Sequence, residues 1–82
     1  AIGSNKSATI HQIGYVLSEI RKILRDVDIN LSDSTKILYG GSVTEKNIAE
    51  ILALDEVDGA LIGGASLDSE SFSNICRIAK TI

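Results

Sequence analysis

The sequence has few aromatic side chains, one cysteine and no long apolar run, and each shortage excludes a class of protein. Its 82 residues include one phenylalanine, two tyrosines and no tryptophan, too few for the stacking platforms of single-stranded nucleic-acid binders. The net charge of −3 argues against the basic surface that nucleic-acid binding needs. No apolar run approaches the roughly 18 residues of a membrane span, and the first ten residues do not resemble a signal peptide. We therefore expect a cytoplasmic protein with no nucleic-acid or membrane partner.

The single cysteine and the single histidine both read as ordinary helix residues. Cys76 allows no disulfide within the chain and no zinc cluster. Because it stands beside Ile75 and Ile78 in a helical pattern, we expect it to be a buried packing residue. His11 is expected on the exposed side of a helix. The hydrophobic content of 44% excludes a disordered segment, and the length fits one small domain or a piece of a larger one.

Helical periodicity and short apolar runs alternate along the chain. Thr9 and Gln12 form a capping box at the start of an amphipathic helix, and Thr44 is the expected cap of a second helix. The last helix is expected to turn one apolar face inward, formed by Phe72, Ile75, Ala79 and Ile82. The complete prediction is a helix over 9–27, a polar loop over 28–36, a strand over 37–39, a helix over 44–53, a strand over 57–62, a turn over 65–68 and a helix from 69.

Both predicted strands are short and apolar, and both run into a pair of glycines. Strands that alternate with helices favour parallel pairing, so both glycine pairs are expected at one edge of the sheet. Glycine permits a sharp turn without a Cβ atom, and a following helix offers unpaired N–H groups to an anion. Either pair alone is more simply a turn, but two equivalent pairs favour a phosphate site like that of (β/α)₈ barrels. The candidate residues are Gly40, Gly41, Ser42, Gly63 and Gly64.

Three segments together resemble the last third of triosephosphate isomerase. They are AIGSNKSA at residues 1–8, ILYGGSV at 37–43 and VDGALIGGASL at 57–67, and they occur in the family's order and spacing. The resemblance covers essentially the whole chain. It implies an α/β fold in which residues 1–82 form the C-terminal part of a (β/α)₈ TIM barrel, from helix 6 to helix 8, as a fragment of a single domain. A first residue that is Ala1 rather than methionine is consistent with processing or truncation.

The resemblance also implies an activity and roles for individual residues. The complete enzyme interconverts dihydroxyacetone phosphate and D-glyceraldehyde 3-phosphate through an enediolate, in glycolysis and gluconeogenesis, as a homodimer without cofactor or metal. Residues 1–8 resemble most of a mobile lid, in which Asn5 stands where the family usually has glycine. The implied phosphate-binding residues are Gly3, Ser42, Gly63 and Gly64. The implied lid residues are Lys6, Ser7 and Ala8 at the second hinge, with Tyr39 and Ser42 as the latch that holds the closed lid.

None of the family's catalytic lysine, histidine and glutamate maps onto this sequence. We therefore expect the 82 residues alone to be inactive, with the catalytic groups on earlier strands. We expect solvated charges at four glutamates: Glu45, Glu50, Glu56 and Glu70. Two other functions stay open: another phosphate-binding barrel such as a ribulose-phosphate epimerase, which the lid-like residues 1–8 disfavour, or a phosphate-binding remnant without catalysis.

Overall fold

The computed structural model describes residues 8–82, in which helices and strands alternate as the sequence predicts. A 3-10 helix follows the second strand. None of the helices in residues 8–82 combines the length and apolar character needed to cross a membrane. The elements are α1 (Ile10–Val27), α2 (Ile29–Ser34), β1 (Leu38–Gly40), α3 (Ile48–Leu52), β2 (Gly59–Leu61), the 3-10 helix (Gly64–Leu67) and α4 (Ser69–Lys80).

The first helix begins at the predicted capping box and buries only part of its apolar face. The Gln12 N–H donates to Thr9 Oγ1 at 3.1 Å, and the Thr9 N–H donates to Gln12 Oε1 at 2.8 Å. Ile13 is buried, but Ile20 and Val27, which follow it on the apolar side of the helix, are 37% and 70% exposed. An 18-residue helix is about 27 Å long, whereas three-residue strands span about 10 Å. The end of α1 therefore extends beyond the sheet.

The segment predicted as a polar loop contains a short helix, and α3 begins later than predicted. Asp28 ends α1 by donating its N–H to Leu24 O at 2.9 Å. Its carboxylate then accepts the Asn30 N–H at 2.8 Å, which caps α2. Residues 45–47 form a turn, and α3 begins at Ile48. Thr44 Oγ1 accepts the Lys46 N–H at 3.2 Å, so Thr44 caps this turn rather than α3 itself. The Asp28 side chain thus sets the boundary between α1 and α2.

The two strands pair in parallel, as predicted, and leave one face of the sheet open. Leu38 lies opposite Gly59, and Gly40 lies opposite Leu61. Leu38 and Leu61 are 54% and 67% exposed, whereas Tyr39 packs against the core under the helices. A Cβ atom on Gly59 would lie 2.9 Å from Leu38 Cδ2. Glycine at this position therefore leaves room for the Leu38 side chain on the open face.

The core lies between the sheet and the helices, with α3 at its centre. Ile48 and Ile51 of α3 are almost fully buried. The other buried apolar residues are Ile13, Leu17, Ile37, Val43, Val57 and Ile75.

The C-terminal residues, α4 and the residues after it, correct three predictions. Cys76 is exposed rather than buried, and Phe72 and Ile82, two of the four residues predicted on the inward face, are also exposed. Ile75 takes the inward position, and since successive helix residues are rotated by about 100°, Cys76 points away from the core. His11 is exposed on α1, as predicted.

Candidate phosphate-binding site

Both glycine pairs leave the sheet at the same edge. Gly40, the last residue of β1, is paired with Leu61, the last residue of β2. Because the strands are parallel, Gly41 and Gly63 follow the carboxyl ends of neighbouring strands. This is the edge at which ligands bind in parallel α/β folds. Their role in phosphate binding remains a prediction.

The second glycine loop opens directly into the 3-10 helix. Ser66 donates its N–H and its hydroxyl to Gly63 O, at 2.9 and 2.6 Å. Gly63 and Gly64 are exposed, and a Cβ atom on either would have no heavy atom within 4 Å. The first N–H groups of a helix have no acceptor within it. The loop therefore presents backbone donors to open space.

The first glycine loop passes beneath the ring of Tyr39. A Cβ atom on Gly41 would lie 2.5 Å from Tyr39 Oη and 3.0 Å from Tyr39 Cζ, so a larger residue at position 41 would displace the ring. Tyr39 Oη is buried and has no hydrogen-bond partner within residues 8–82. A buried hydroxyl without a partner is unfavourable. Tyr39 thus has an unused donor and acceptor beside the loop.

A groove of about 330 Å³ connects Tyr39 with Ala8, the one predicted hinge residue that the structure describes. Both residues line this groove, which is mostly apolar. The remaining lining residues are Gln12, Ile13, Val16 and Leu17. Three predicted site residues, Gly3, Lys6 and Ser7, lie outside the described residues.

Three polar side chains behind the first glycine loop were not among the predicted site residues. Asn47 Nδ2 donates to Ser42 O at 2.8 Å, and Asn47 Oδ1 accepts the Thr44 N–H at 2.8 Å. Asn74 Nδ2 on α4 donates to Glu45 Oε2 at 2.7 Å. Glu45 is half-buried and hydrogen-bonded, so its prediction as a solvated charge was wrong. An asparagine three residues after a threonine, just before a helix, signals such a turn, whereas the contact with Asn74 has no local signal.

The opposite edge of the sheet is held by Arg21 and Asp58. Arg21 Nη1 donates to the carbonyl oxygens of Ser32 and Thr35, at 2.6 and 2.7 Å, and Arg21 Nη2 contacts Asp58 Oδ2 at 3.0 Å. The Ile37 N–H also donates to Asp58 Oδ2, at 2.7 Å. This N–H, followed by the hydrogen bond and charge of Arg21, lowers the pKa of Asp58 below its ordinary value. The network lies at the amino ends of the strands, opposite the glycine loops, and serves the fold.

A parallel strand–helix–strand unit with helices packed on one face is the unit from which α/β barrels are built. Comparison with known families and structures agrees with this architecture. The family model described as triosephosphate isomerase matches residues 1–79, and the chain belongs to the triosephosphate isomerase family.

The relatives that this chain matches are longer than the chain itself. The triosephosphate isomerase of Dehalococcoides mccartyi strain 195 is 52% identical over 83 aligned positions, which cover all of this chain and 33% of the relative. That of Shewanella denitrificans is 49% identical over 96% of this chain and 30% of the relative. A crystal structure of triosephosphate isomerase from Bartonella henselae superposes with a TM-score of 0.80 at 35% identity, over 88% of this chain and 30% of that one. The chain thus spans about a third of the length of these relatives.

Proposed function

We propose that residues 1–82 supply the phosphate-binding loops and most of the lid of a triosephosphate isomerase. The complete enzyme would interconvert dihydroxyacetone phosphate and D-glyceraldehyde 3-phosphate by proton transfer through an enediolate. One observation carries the proposal beyond family membership. The chain places Gly41–Ser42 and Gly63–Gly64 at the same edge of one parallel sheet, where two sets of backbone N–H groups can meet a single phosphate.

The phosphate would be held mainly by the backbone. The N–H groups of Ser42, Gly63 and Gly64 are the proposed donors, together with that of Gly3. Each is small enough for a phosphate oxygen to approach the main chain closely. The space around Gly63 and Gly64 is open, and the N-terminal end of a helix favours negative charge. These donors would bind either triose phosphate equally, since the phosphate group is unchanged by the isomerisation.

The lid would close against Tyr39 and Ser42. Ala8 lies in the same groove as Tyr39, and the Tyr39 hydroxyl is buried without a partner in residues 8–82. A lid backbone group that reached this hydroxyl would form a hydrogen bond with it. The hydroxyl would then no longer be buried without a partner. Lys6 and Ser7 are the other proposed hinge residues. Closure excludes water, which strengthens electrostatic interactions around the reacting atoms.

The proton-transfer groups would come from outside these 82 residues. His11 is exposed on α1 and takes no part in the proposed chemistry. We infer a homodimeric cytoplasmic enzyme that requires no cofactor or metal. The family match favours this function over an epimerase-like barrel, and activity measurements separate it from a non-catalytic remnant.

A hybrid enzyme tests the proposal. Residues 1–82 would follow the upstream two thirds of the Dehalococcoides mccartyi relative, replacing its own matching third. We expect the hybrid to isomerise glyceraldehyde 3-phosphate at a rate within about tenfold of the relative, and to be inhibited by inorganic phosphate. Residues 1–82 alone, purified from a host that lacks the enzyme, should show no activity above buffer. A folded hybrid that neither turns over substrate nor binds phosphate would refute the proposal.

A further inference from the structure

Three side chains lie behind the first glycine loop: Glu45, Asn47 and Asn74, which we call the brace. We propose that the brace positions Ser42 for phosphate binding and ties its loop to α4. The inference rests on the proposed function, because it assigns these residues to the same site. None of the three is proposed to touch the substrate, so they are positioning residues.

Asn47 holds the loop at two points. Its amide nitrogen donates to the carbonyl oxygen of Ser42, and its amide oxygen accepts the Thr44 N–H, each at 2.8 Å. One planar amide thereby fixes the separation of two backbone groups on either side of Val43, which is itself 4% exposed. Because the Ser42 carbonyl and the next N–H belong to one rigid peptide plane, holding the carbonyl restricts the orientation of the loop backbone.

Glu45 connects this loop to α4. Asn74 Nδ2 donates to Glu45 Oε2 at 2.7 Å, in a partly buried contact between residues 29 positions apart. Arg77 Nη1 donates to Asn74 Oδ1 at 3.3 Å, so the amide oxygen faces a cation and the amide nitrogen faces a carboxylate. This is the orientation that the charges favour.

The connection links the two glycine loops through one rigid element. The 3-10 helix that starts at Gly64 leads directly into α4, whose first turn is capped by Asp68 through the N–H groups of Glu70 and Ser71. A shift of α4 would therefore carry the second loop with it, and the Asn74–Glu45 hydrogen bond transmits that position to the first loop. A phosphate bound by both loops requires their donors to be in register, and small displacements of binding groups weaken such contacts strongly.

Four variants of the hybrid enzyme test the brace. Asn47→Asp keeps the acceptor for the Thr44 N–H but sets a carboxylate against the Ser42 carbonyl. Asn74→Ala removes the donor to Glu45, whereas Glu45→Gln retains an oxygen acceptor and should behave as wild type. Ser73→Ala, next to Asn74 on the exposed side of α4, is the matched control.

The expected result is a change in phosphate affinity that exceeds any change in turnover. Asn47→Asp and Asn74→Ala should raise KM and the inhibition constant of inorganic phosphate by roughly five- to tenfold, as expected for the loss of a hydrogen bond. We expect kcat to change by less than about twofold.

A purely structural role predicts a different pattern. In that case Asn47→Asp and Asn74→Ala would lower Tm and leave the inhibition constant of phosphate unchanged, and this result would overturn the inference. The same inhibition constant for Asn74→Ala and Ser73→Ala would also overturn it. If the unmodified hybrid bound no phosphate, the proposed function would fail first and the brace with it. A hybrid that binds phosphate while the brace variants bind equally well would refute the brace alone.

Discussion

The two ends of the sheet differ in which groups they present: hydrogen-bonded side chains at the amino end and exposed glycine backbone at the carboxyl end. At the amino end, side chains hold the backbone in place. Arg21 donates to two backbone carbonyls and to Asp58, which also accepts the Ile37 N–H. At the carboxyl end, Gly63 and Gly64 have no side chains and border open space. Side-chain hydrogen bonds hold the backbone at the amino end, whereas the backbone of Gly63 and Gly64 is exposed at the carboxyl end. Stability and ligand binding are separated along the strands in this way in α/β barrels generally, and the proposed phosphate site would follow the same division.

This separation can be tested in the hybrid enzyme by substitutions at each end. Substitutions at the carboxyl end should change phosphate affinity with little effect on Tm. Substitutions at the amino end should change Tm and leave the inhibition constant of phosphate unchanged.

The largest effect is expected for Gly64→Asp at the carboxyl end. A carboxylate about 5 Å from bound phosphate, at an effective dielectric constant near 20, costs about 3 kcal/mol. Phosphate affinity should therefore fall by roughly a hundredfold, measured as the inhibition constant of inorganic phosphate.

Gly64→Ala is the matched control for this prediction. A Cβ atom at position 64 meets no heavy atom within 4 Å, so both variants should fold with a Tm close to wild type. Phosphate affinities of Gly64→Asp and Gly64→Ala that both equal that of wild type would place the phosphate elsewhere.

The second effect is expected for Arg21→Ala at the amino end. The substitution leaves the carbonyl oxygens of Ser32 and Thr35 without their charged donor. We expect a loss of about 2 kcal/mol in the free energy of unfolding and a Tm lower by roughly 5 °C, with phosphate inhibition unchanged. Arg25→Ala, an exposed arginine one turn further along α1, should alter Tm by less than about 1 °C. A weakened phosphate site in Arg21→Ala would show that the two ends are coupled.

The difference between local patterns and distant contacts explains which features the sequence could predict. Local patterns were sufficient for α1, α4 and the parallel strands, because helical periodicity and the Thr9–Gln12 capping box involve neighbouring residues. The glycine pairs also predicted which edge of the sheet would carry the loops, since parallel strands bring their carboxyl ends together.

Contacts between distant residues could not be predicted in this way. Glu45 and Asn74 are 29 positions apart, and Arg21 and Asp58 are 37 apart, so only the folded chain shows that they meet. Cys76 was misplaced because one residue along a helix turns a side chain from the core to the surface. α2 was missed because its aspartate, asparagine and serine residues are typical of loops, although Asp28 caps a helix there.

A smaller effect at the amino end is a change in the pH dependence of stability. The pKa of Asp58 is lowered in the folded protein from an ordinary value of 3.8, so its ionised form stabilises the fold. This contribution is fully present above about pH 4 and is lost as the pH falls through the folded pKa. Asp58→Asn should therefore melt below wild type at neutral pH, and the difference should shrink on acidification.

Melting curves from about pH 6 to about pH 3 would measure this difference. Asp55→Asn, an exposed aspartate in the turn before β2, serves as the control and should show no such convergence. A constant gap between Asp58→Asn and wild type across this range would mean that the Asp58 charge contributes nothing to stability.

The smallest change in stability is expected for Tyr39→Phe at the carboxyl end. This variant separates the two roles, because it should affect catalysis without lowering stability. The hydroxyl is buried without a hydrogen-bond partner in residues 8–82, so its removal should leave the free energy of unfolding unchanged or raise it by up to about 1 kcal/mol. If the hydroxyl latches the closed lid, kcat/KM should nevertheless fall by roughly fivefold. Tyr15→Phe, on an exposed tyrosine of α1, should change neither quantity. A Tyr39→Phe variant that is less stable and fully active would assign the hydroxyl to the fold, because loss of a latch alone cannot lower stability while sparing catalysis.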